Sequence, residues 1–296
     1  MATVTQPTTR TPSRTRLNGD SIGRYLGNSI VFVLLFAASL LMLIPIIWAF
    51  STSLRLPRES FTLPPKWFPT DFRIDNYAQV FERVPFFWKY FINSALVSAA
   101  VVFGQLATCS MAAYAFARLR FPGRNTLFTI ILSALMVPIQ ATIIPVFVEI
   151  RYLGLSNSLW SLILPSITSA FGVFLLRQYF LTIPNELEDA ARIDGANQWQ
   201  IFSRVMLPLV APALAVLAIL TFNGYWNEYF RPLIFLTNAE NYTLPLGLVN
   251  LRGQFGGGSI AIVLAGVVLS LMPVLIGYIF AQKYLVEGIA AGAVKG

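Results

Sequence analysis

Charged residues are distributed unevenly and divide the chain into long apolar runs. Six segments of more than 20 residues contain no Asp, Glu, Lys or Arg, namely 25–54, 90–117, 125–148, 152–176, 205–227 and 253–282. A helix of roughly 20 residues crosses the ~30 Å hydrocarbon core of a bilayer. The pattern therefore predicts an all-α integral membrane protein with six transmembrane helices, in preference to a soluble protein with six buried helices.

The segments between the runs complete the predicted organisation. Residues 1–24 are rich in Thr, Ser, Pro and Arg and are expected to form a disordered cytoplasmic tail. The first run is long and lacks an obvious small-residue cleavage site, which favours a retained span over a signal peptide. The remaining predicted parts are an extracytoplasmic loop at 55–89, a core of five helices at 90–283 and a cytoplasmic tail at 284–296.

Basic residues give a weak indication of orientation. With a cytoplasmic N-terminus, 12 of the 21 Lys and Arg residues lie inside and 9 outside. Basic residues favour the cytoplasmic side of a membrane, so both termini are expected there. The net charge of +8 then needs no nucleic acid, because basic residues next to anionic membrane lipid explain it.

Several kinds of chemistry are excluded by residues that the chain lacks. It has no histidine and one cysteine, Cys109, which excludes internal disulfides, Ser–His and Cys–His catalytic pairs and the usual zinc sites. None of the four lysines follows a glycine, so no phosphate-binding P-loop is present. The apolar runs lack acidic residues, which disfavours a self-sufficient ion-coupled carrier. We expect no enzymatic activity, no metal site and no cofactor in this chain.

The polar stretch 184–208, between the fourth and fifth runs, is expected to form a cytoplasmic helix–turn–helix. Asn185 with Glu188 predicts one capping box and Asn197 with Gln200 a second, while Gly195 suits a left-handed turn between the helices. An amphipathic helix lying at the membrane interface remains an alternative. However, Glu186, Glu188, Asp189 and Asp194 would give an acidic rim, and interfacial helices are usually basic, so a partner protein is favoured.

The spacing within this stretch resembles the cytoplasmic signature of type I ABC importer permease subunits, which reads E-A-A, three residues, G, nine residues, I-x-L-P. Asp189-Ala190-Ala191, Gly195, Val205 and Leu207-Pro208 match it, with Asp189 and Val205 in place of Glu and Ile. The resemblance implies a coupling helix that docks on an ATPase subunit. The implied coupling residues are Glu188, Asp189, Ala190, Ala191, Asp194, Gly195, Asn197, Leu207 and Pro208, and whether Glu188 or Asp189 makes the main contact stays open.

Other segments resemble the carbohydrate branch of that family, in particular its smaller maltose permease subunit. They are 61–81, 92–98, 112–124, 226–236 and 287–296. The resemblance implies half of the pathway of an ATP-driven importer of di- or oligosaccharides in a bacterial or archaeal plasma membrane. It also implies a homologous second permease, two ATPase subunits that bind ATP and Mg, and an extracytoplasmic solute-binding protein, which the loop 238–258 is expected to touch. A polyol or glycerol-phosphate-type solute, or a stand-alone secondary carrier, are the alternatives.

A candidate substrate path lies at the end of the fifth run. Sugars are commonly bound by aromatic faces and amide hydrogen bonds, and Asn223, Tyr225, Trp226 and Asn227 offer both. A belt of aromatic residues at the membrane interface is the stronger of the two interpretations for these residues.

Overall fold

The computed structural model describes residues 19–56, 67–69, 71–252 and 259–293. The chain divides into two units, 1–49 and 50–296. The first unit contributes most of helix α1 (Gly19–Ser53), which starts six residues before the predicted first span, so only residues 1–18 of the predicted tail lie outside the described part. The large apolar side chains of α1 from Ile30 to Ile47 are exposed, as expected for a helix in contact with lipid.

The regular secondary structure of the second unit is helical in the residues that the structure describes. Its helices are α2 (Asp75–Arg83), α3 (Phe87–Arg118), α4 (Arg124–Ser133), α5 (Ile139–Tyr152), α6 (Trp160–Ile163), α7 (Ala170–Thr182), α8 (Glu186–Ile193), α9 (Gln198–Gln200), α10 (Leu207–Leu209), α11 (Ala211–Trp226), α12 (Phe230–Phe235), α13 (Leu244–Leu248) and α14 (Ile260–Ala293). The last helix extends ten residues beyond the predicted end of the core at 283, into the predicted tail. The described residues therefore confirm the all-α fold.

Among the described residues, four helices are long and apolar enough to cross a membrane, and the number rises to six if two bent pairs each count as one span. The first bent pair joins residues 124–136 to α5 at 104°, and the second joins residues 198–209 to α11 at 74°. The first bend falls at Pro138, where Val137 is extended (ψ 116°) because proline disfavours a helical conformation in the residue before it. The bends show why continuous apolar runs in the sequence do not become continuous helices.

Helix α3 is the central element of the second unit. Its 32 residues correspond to a length of about 48 Å, and buried side chains along it belong to three successive apolar clusters. Tyr90 lies in the cluster near its N-terminus, Val101 in the middle one, and Tyr114 in the one near its C-terminus. Because α3 contributes to every cluster, it links the two ends of the unit.

The fourth span is interrupted between α6 and α7, and α3 compensates for the interruption. Pro165 lies in a short 3₁₀ turn there, so nearby carbonyl groups have no partner within their own helix. Gln105 Nε2 donates to the Ser166 carbonyl (2.9 Å) and Thr108 Oγ1 to that of Ile167 (2.6 Å). Polar side chains of α3 thus satisfy backbone groups that lipid could not.

Close packing between α3 and α7 depends on Gly172. A Cβ atom added there would lie 2.9 Å from Cys109 Sγ, a distance that real side chains do not adopt. Cys109 is completely buried in the same cluster. The small sulfhydryl side chain is therefore a packing residue, which sets how near the two helices approach.

Candidate coupling site and substrate path

Helices α8 and α9 form the predicted helix–turn–helix, and its turn is built by local sequence. Gly195 has a φ of +82°, and the amides of Gly195 and Ala196 donate to the carbonyls of Arg192 and Ala191, both at 3.0 Å. This pattern is a Schellman motif, which a left-handed glycine permits. Asn197 and Gln200 form the predicted capping box, at 2.8 and 2.9 Å. Both local predictions are confirmed.

The predicted capping box at the start of α8 is wrong. Asn185 has helical dihedral angles (φ −68°, ψ −27°) and its side chain makes no capping hydrogen bond. Its Oδ1 instead accepts a hydrogen bond from Arg118 Nη1 at the end of α3. A tertiary contact has replaced the local one, because a guanidinium is a stronger donor than a backbone amide.

Arg118 connects the end of α3 to the start of the hairpin formed by residues 186–200. Its Nη2 donates to the carbonyl oxygens of Phe180 and Ile183, where α7 ends. Its Nε lies 3.6 Å from Glu188 Oε1, and the two side chains are only 6% and 7% exposed. The distance makes this contact an ion pair and not a hydrogen bond. Arg118 therefore ties α3, α7 and α8 together.

Glu188 consequently does not belong to an exposed acidic rim, which corrects that part of the prediction. Its second oxygen, Oε2, lies 3.6 Å from Arg192 Nη2, so both oxygens face arginines of the same chain. Asp189 differs, since its side chain is 65% exposed and forms an ion pair with the half-exposed Arg192, at 3.5 Å. Of the two neighbouring acids, Glu188 is structural and Asp189 is accessible.

Tyr114, one turn before Arg118, contacts the second half of the hairpin. Gln198 Nε2 donates to the tyrosine hydroxyl, and Phe202 packs against the ring with 5.2 Å between ring centroids. Phe180 of α7 packs edge-on against the same ring at 5.6 Å. The last two turns of α3 therefore contact both helices of the hairpin, so the hairpin and α3 are expected to move together.

The remaining side of α8 is exposed in the part of the chain that the structure describes. Leu187 and Ala190 are exposed one turn apart, Ile193 is 86% exposed, and Asp194 lies beside it. Ala191 instead packs against the apolar cluster below. An exposed isoleucine and leucine around a small alanine form a surface on which another protein can approach closely.

The final part of the motif lies at the bend between the hairpin and α11. Residues 201–206 form a π-helical turn, which leads into α10 and the 74° change of direction. Leu207 packs against the apolar cluster, while Pro208 is exposed. The motif therefore covers a complete structural unit, from the start of α8 to the corner where the fifth span begins.

The four candidate substrate residues do not share one exposed face. Trp226 is 3% exposed, packs against Phe222 and donates from Nε1 to the Ser270 carbonyl at 3.1 Å. The structure thus accounts for this tryptophan by packing between α11 and α14. Tyr225 is half-buried, with the Arg231 guanidinium 4.9 Å from its ring centre.

Asn223 and Asn227 remain accessible one turn apart on α11. Asn227 Nδ2 donates to the carbonyl and to Oδ1 of Asn223, at 2.9 and 3.1 Å. A cavity of about 610 Å³ adjoins Asn223, and its lining is otherwise apolar and aromatic, including Phe103 and Tyr278. The amide pair is the polar part of this surface that could bind hydroxyl groups.

Three long-range contacts were not visible in the local sequence, namely those of Arg118 and Tyr114 with the hairpin and that of Arg231 with Ser166. Arg118 and Tyr114 lie about 70 residues from the hairpin, and neither interrupts the apolar pattern of its own helix in an unusual way. Arg231 pairs with Glu228 (Nη2 to Oε2, 2.9 Å) and also donates to Ser166 Oγ at 2.6 Å. The only available signal was the presence of isolated charges at the ends of apolar runs, where pairing is expected.

These features define a helical chain with several candidate membrane spans and a polar helix–turn–helix that leads into the span of α11. The chain belongs to the family of binding-protein-dependent transport system inner membrane components, whose model matches residues 100–286. It is therefore a multi-pass membrane protein with the fold of an ABC importer permease.

Named relatives come from several bacteria. The chain is 39% identical over 251 residues to the arabinooligosaccharides transport system permease protein AraQ of Halalkalibacterium halodurans, covering 85% of this chain and 89% of that one. It is 33% identical over 282 residues to the galactooligosaccharides transport system permease protein GanQ of Bacillus subtilis, covering 93% and 98%.

A solved structure extends the similarity to the fold. A chain of a bacterial ABC transporter involved in the import of the acidic polysaccharide alginate matches with a TM-score of 0.78 and 29% identity, over 93% of this chain and 99% of that one. The similarity therefore covers nearly the whole length of both chains.

Proposed function

We propose that this chain is a membrane-spanning permease subunit of an ATP-driven importer of oligosaccharides. The observation that carries the proposal is the hairpin 186–200, which is tied to α3 by Arg118 and Tyr114 and leaves one apolar and acidic side of α8 exposed. Such a surface suits a partner that delivers mechanical work to the spans. The names of the relatives, which transport arabino- and galactooligosaccharides, support the substrate class.

In this proposal the N-terminus and the hairpin are cytoplasmic, and the opposite end of α3 faces outward. A second, homologous permease completes the pathway. Two ATPase subunits bind ATP and Mg, and one of them docks on α8 of this chain. The family description, which names a binding protein, supports an external solute-binding protein that delivers the sugar.

The coupling mechanism follows from how the hairpin is attached. ATP binding favours a closed ATPase pair, which shifts the population of permease conformations only if the docked surface moves with it. Asp189 is the accessible acid and makes the principal polar contact with the ATPase, while Glu188 holds α8 on Arg118. Movement of α8 is passed to α3, and through the packing at Gly172 to α7.

Substrate contacts are proposed at Asn223 and Asn227. Their exposed amides can donate to and accept from sugar hydroxyls, and Phe103 and Tyr278 beside the same cavity offer aromatic faces. Tyr225 and Trp226 contact other parts of the same chain, and in this proposal they do not contact the sugar.

The test is reconstitution of the chain with its co-expressed partners in lipid nanodiscs. ATP hydrolysis is measured while a series of oligosaccharides is added together with the binding protein. We expect stimulation by arabino- or galactooligosaccharide-type sugars. A chain that copurifies with no ATPase, and transports in vesicles without one, would instead be a secondary carrier.

A further inference from the structure

Asn157 makes an unusual set of contacts at the end of the molecule remote from the hairpin. It lies in the turn between α5 and α6 and is the one non-glycine residue of the described ranges with a positive φ, +57°. Asparagine tolerates this left-handed conformation better than most residues. Its Oδ1 accepts hydrogen bonds from the amides of Thr237 and Asn238, both at 2.9 Å.

The backbone of Asn157 contacts the same segment. Its amide donates to the Phe235 carbonyl at 3.1 Å, and its own carbonyl accepts from Asn241 Nδ2 at 2.6 Å. One residue therefore binds four groups, one at the last residue of α12 and three in the loop that follows, about 80 positions further along the chain. These contacts fix the backbone of that loop at its start.

Side chains of α3 fix the same loop at its other end. Asn93 Nδ2 donates to the carbonyls of Glu240 and Tyr242, at 3.1 and 3.0 Å, and Ser94 Oγ accepts from the Leu244 amide at 2.8 Å. Asn93 is about 37 Å along α3 from Arg118, which places the loop at the opposite end from the hairpin.

Between these two attachments, residues 237–240 have a fixed backbone and outward side chains. All four side chains are exposed. The backbone amides of Thr237 and Asn238 are bonded to Asn157, and the carbonyl of Glu240 is bonded to Asn93. A rigid backbone with exposed polar side chains is suited to protein recognition, because little conformational entropy is lost on binding.

We propose that Asn157 is a positioning residue, which holds residues 237–240 in the conformation that the external solute-binding protein contacts. This inference rests on the proposed function, since it requires a binding protein. The orientation of the chain in that proposal puts residues 237–240 outside, where such a protein is found.

The experiment uses the complete complex in nanodiscs and measures ATP hydrolysis against the concentration of sugar-loaded binding protein. Asn157→Gly keeps the left-handed backbone and the backbone hydrogen bonds but removes the Oδ1 acceptor. Asn157→Asp keeps an acceptor in the same place. Ser156→Ala is the matched control, because Ser156 is exposed in the same turn.

We expect Asn157→Gly to raise the binding-protein concentration for half-maximal stimulation by about fivefold or more, with unchanged hydrolysis in its absence. Asn157→Asp and Ser156→Ala should stay within about twofold of the original chain. Hydrogen exchange of peptides covering 235–241 should accelerate in Asn157→Gly alone.

Three results would count against the inference. An unchanged titration for Asn157→Gly, or an unchanged exchange rate at 235–241, contradicts it directly. A parallel loss of unstimulated hydrolysis would show a merely structural role. If the binding protein does not stimulate ATP hydrolysis by the original complex, the proposed function itself fails. The titration of the original complex, done before those of the variants, distinguishes this outcome.

Discussion

The two ends of α3 attach to their neighbours by different chemistry. At the hairpin end, the attachment is a buried charge, with Arg118 paired to Glu188 and bonded to carbonyl groups at the end of α7. At the other end, the buried contacts are neutral, since amide and hydroxyl groups of Asn93 and Ser94 bind backbone groups of the loop at 240–244, and the ion pair there, Lys89 with Glu240, is exposed. Both sets of contacts are made by the same helix, α3, but the free-energy cost of losing a contact differs greatly between its two ends.

The difference indicates what each end must do. A buried ion pair leaves an expensive unpaired charge if the two helices separate, so α8 and α3 stay together through a conformational change. Neutral hydrogen bonds contribute about 0.5–1.5 kcal/mol each and can be exchanged for water more easily. The hairpin end is suited to transmitting force and the other end to presenting a surface.

The largest expected effect comes from Arg118→Met, which leaves Glu188 without its buried partner and with only the half-exposed Arg192 among the described ion pairs. We expect a loss of about 3–5 kcal/mol in the free energy of unfolding, measured by thermal unfolding of the purified chain in detergent. Adding Glu188→Gln should restore part of the loss, because the uncompensated charge is removed. Arg120→Met, at an exposed position two residues away, is the control. Equal stability of Arg118→Met and Arg120→Met would contradict the buried pair.

At the other end, Asn93→Ala removes two hydrogen bonds to backbone carbonyls. A loss of about 1–3 kcal/mol is expected, smaller than for Arg118 because no charge is left unpaired. Asn125→Ala changes an exposed residue of the same type and serves as the control. If Asn93→Ala costs as much as Arg118→Met, the contrast between the two ends is not one of charge.

The neighbouring acids of α8 separate stability from coupling. Asp189→Asn should leave the melting temperature unchanged and weaken association with the ATPase subunit by about tenfold, since an accessible charge at an interface is lost. Glu188→Gln should lower the melting temperature instead. Copurification and thermal unfolding of both variants are the measurements, and the reverse assignment of the two effects would be incompatible with the geometry.

The smallest effect concerns the exposed pair of Lys89 and Glu240, 2.7 Å apart. The hydrogen bond and the charge of Lys89 lower the pKa of Glu240. A lowered folded-state pKa stabilises the chain above the usual carboxylate range and loses that contribution as pH falls through the lowered pKa. Lys89→Met should therefore flatten the acid side of the unfolding profile slightly, and high salt should do the same in the original chain. An unchanged profile in Lys89→Met would show that the pair has no such role.

Local sequence predicted those features that depend on neighbours in the chain. The left-handed Gly195 and the Asn197 capping box were correct because their hydrogen-bond partners lie within five residues. The helical class was also evident, because lipid requires backbone groups to be satisfied within each span.

Features that depend on distant residues were not predictable in this way. Asn185 fails as a cap and Glu188 is buried because Arg118, about 70 positions earlier, competes for both. Trp226 was a reasonable sugar ligand by residue type, but its position on the buried side of α11 emerged only from packing against α14. The hydrophobic periodicity of the sequence does not specify which helices pack against each other.

In the proposed complex, the exposed side of α8 docks on the ATPase subunit, and the opposite end of α3 faces the binding protein. The only cysteine, Cys109, is buried, so a single accessible thiol can be introduced at either end. Ala190→Cys and Asn238→Cys complexes in nanodiscs would be treated with a short bifunctional maleimide in the presence of both partners. We predict that Ala190→Cys crosslinks to the ATPase subunit and Asn238→Cys to the binding protein. An ATPase crosslink from Asn238→Cys, with none from Ala190→Cys, would contradict the account.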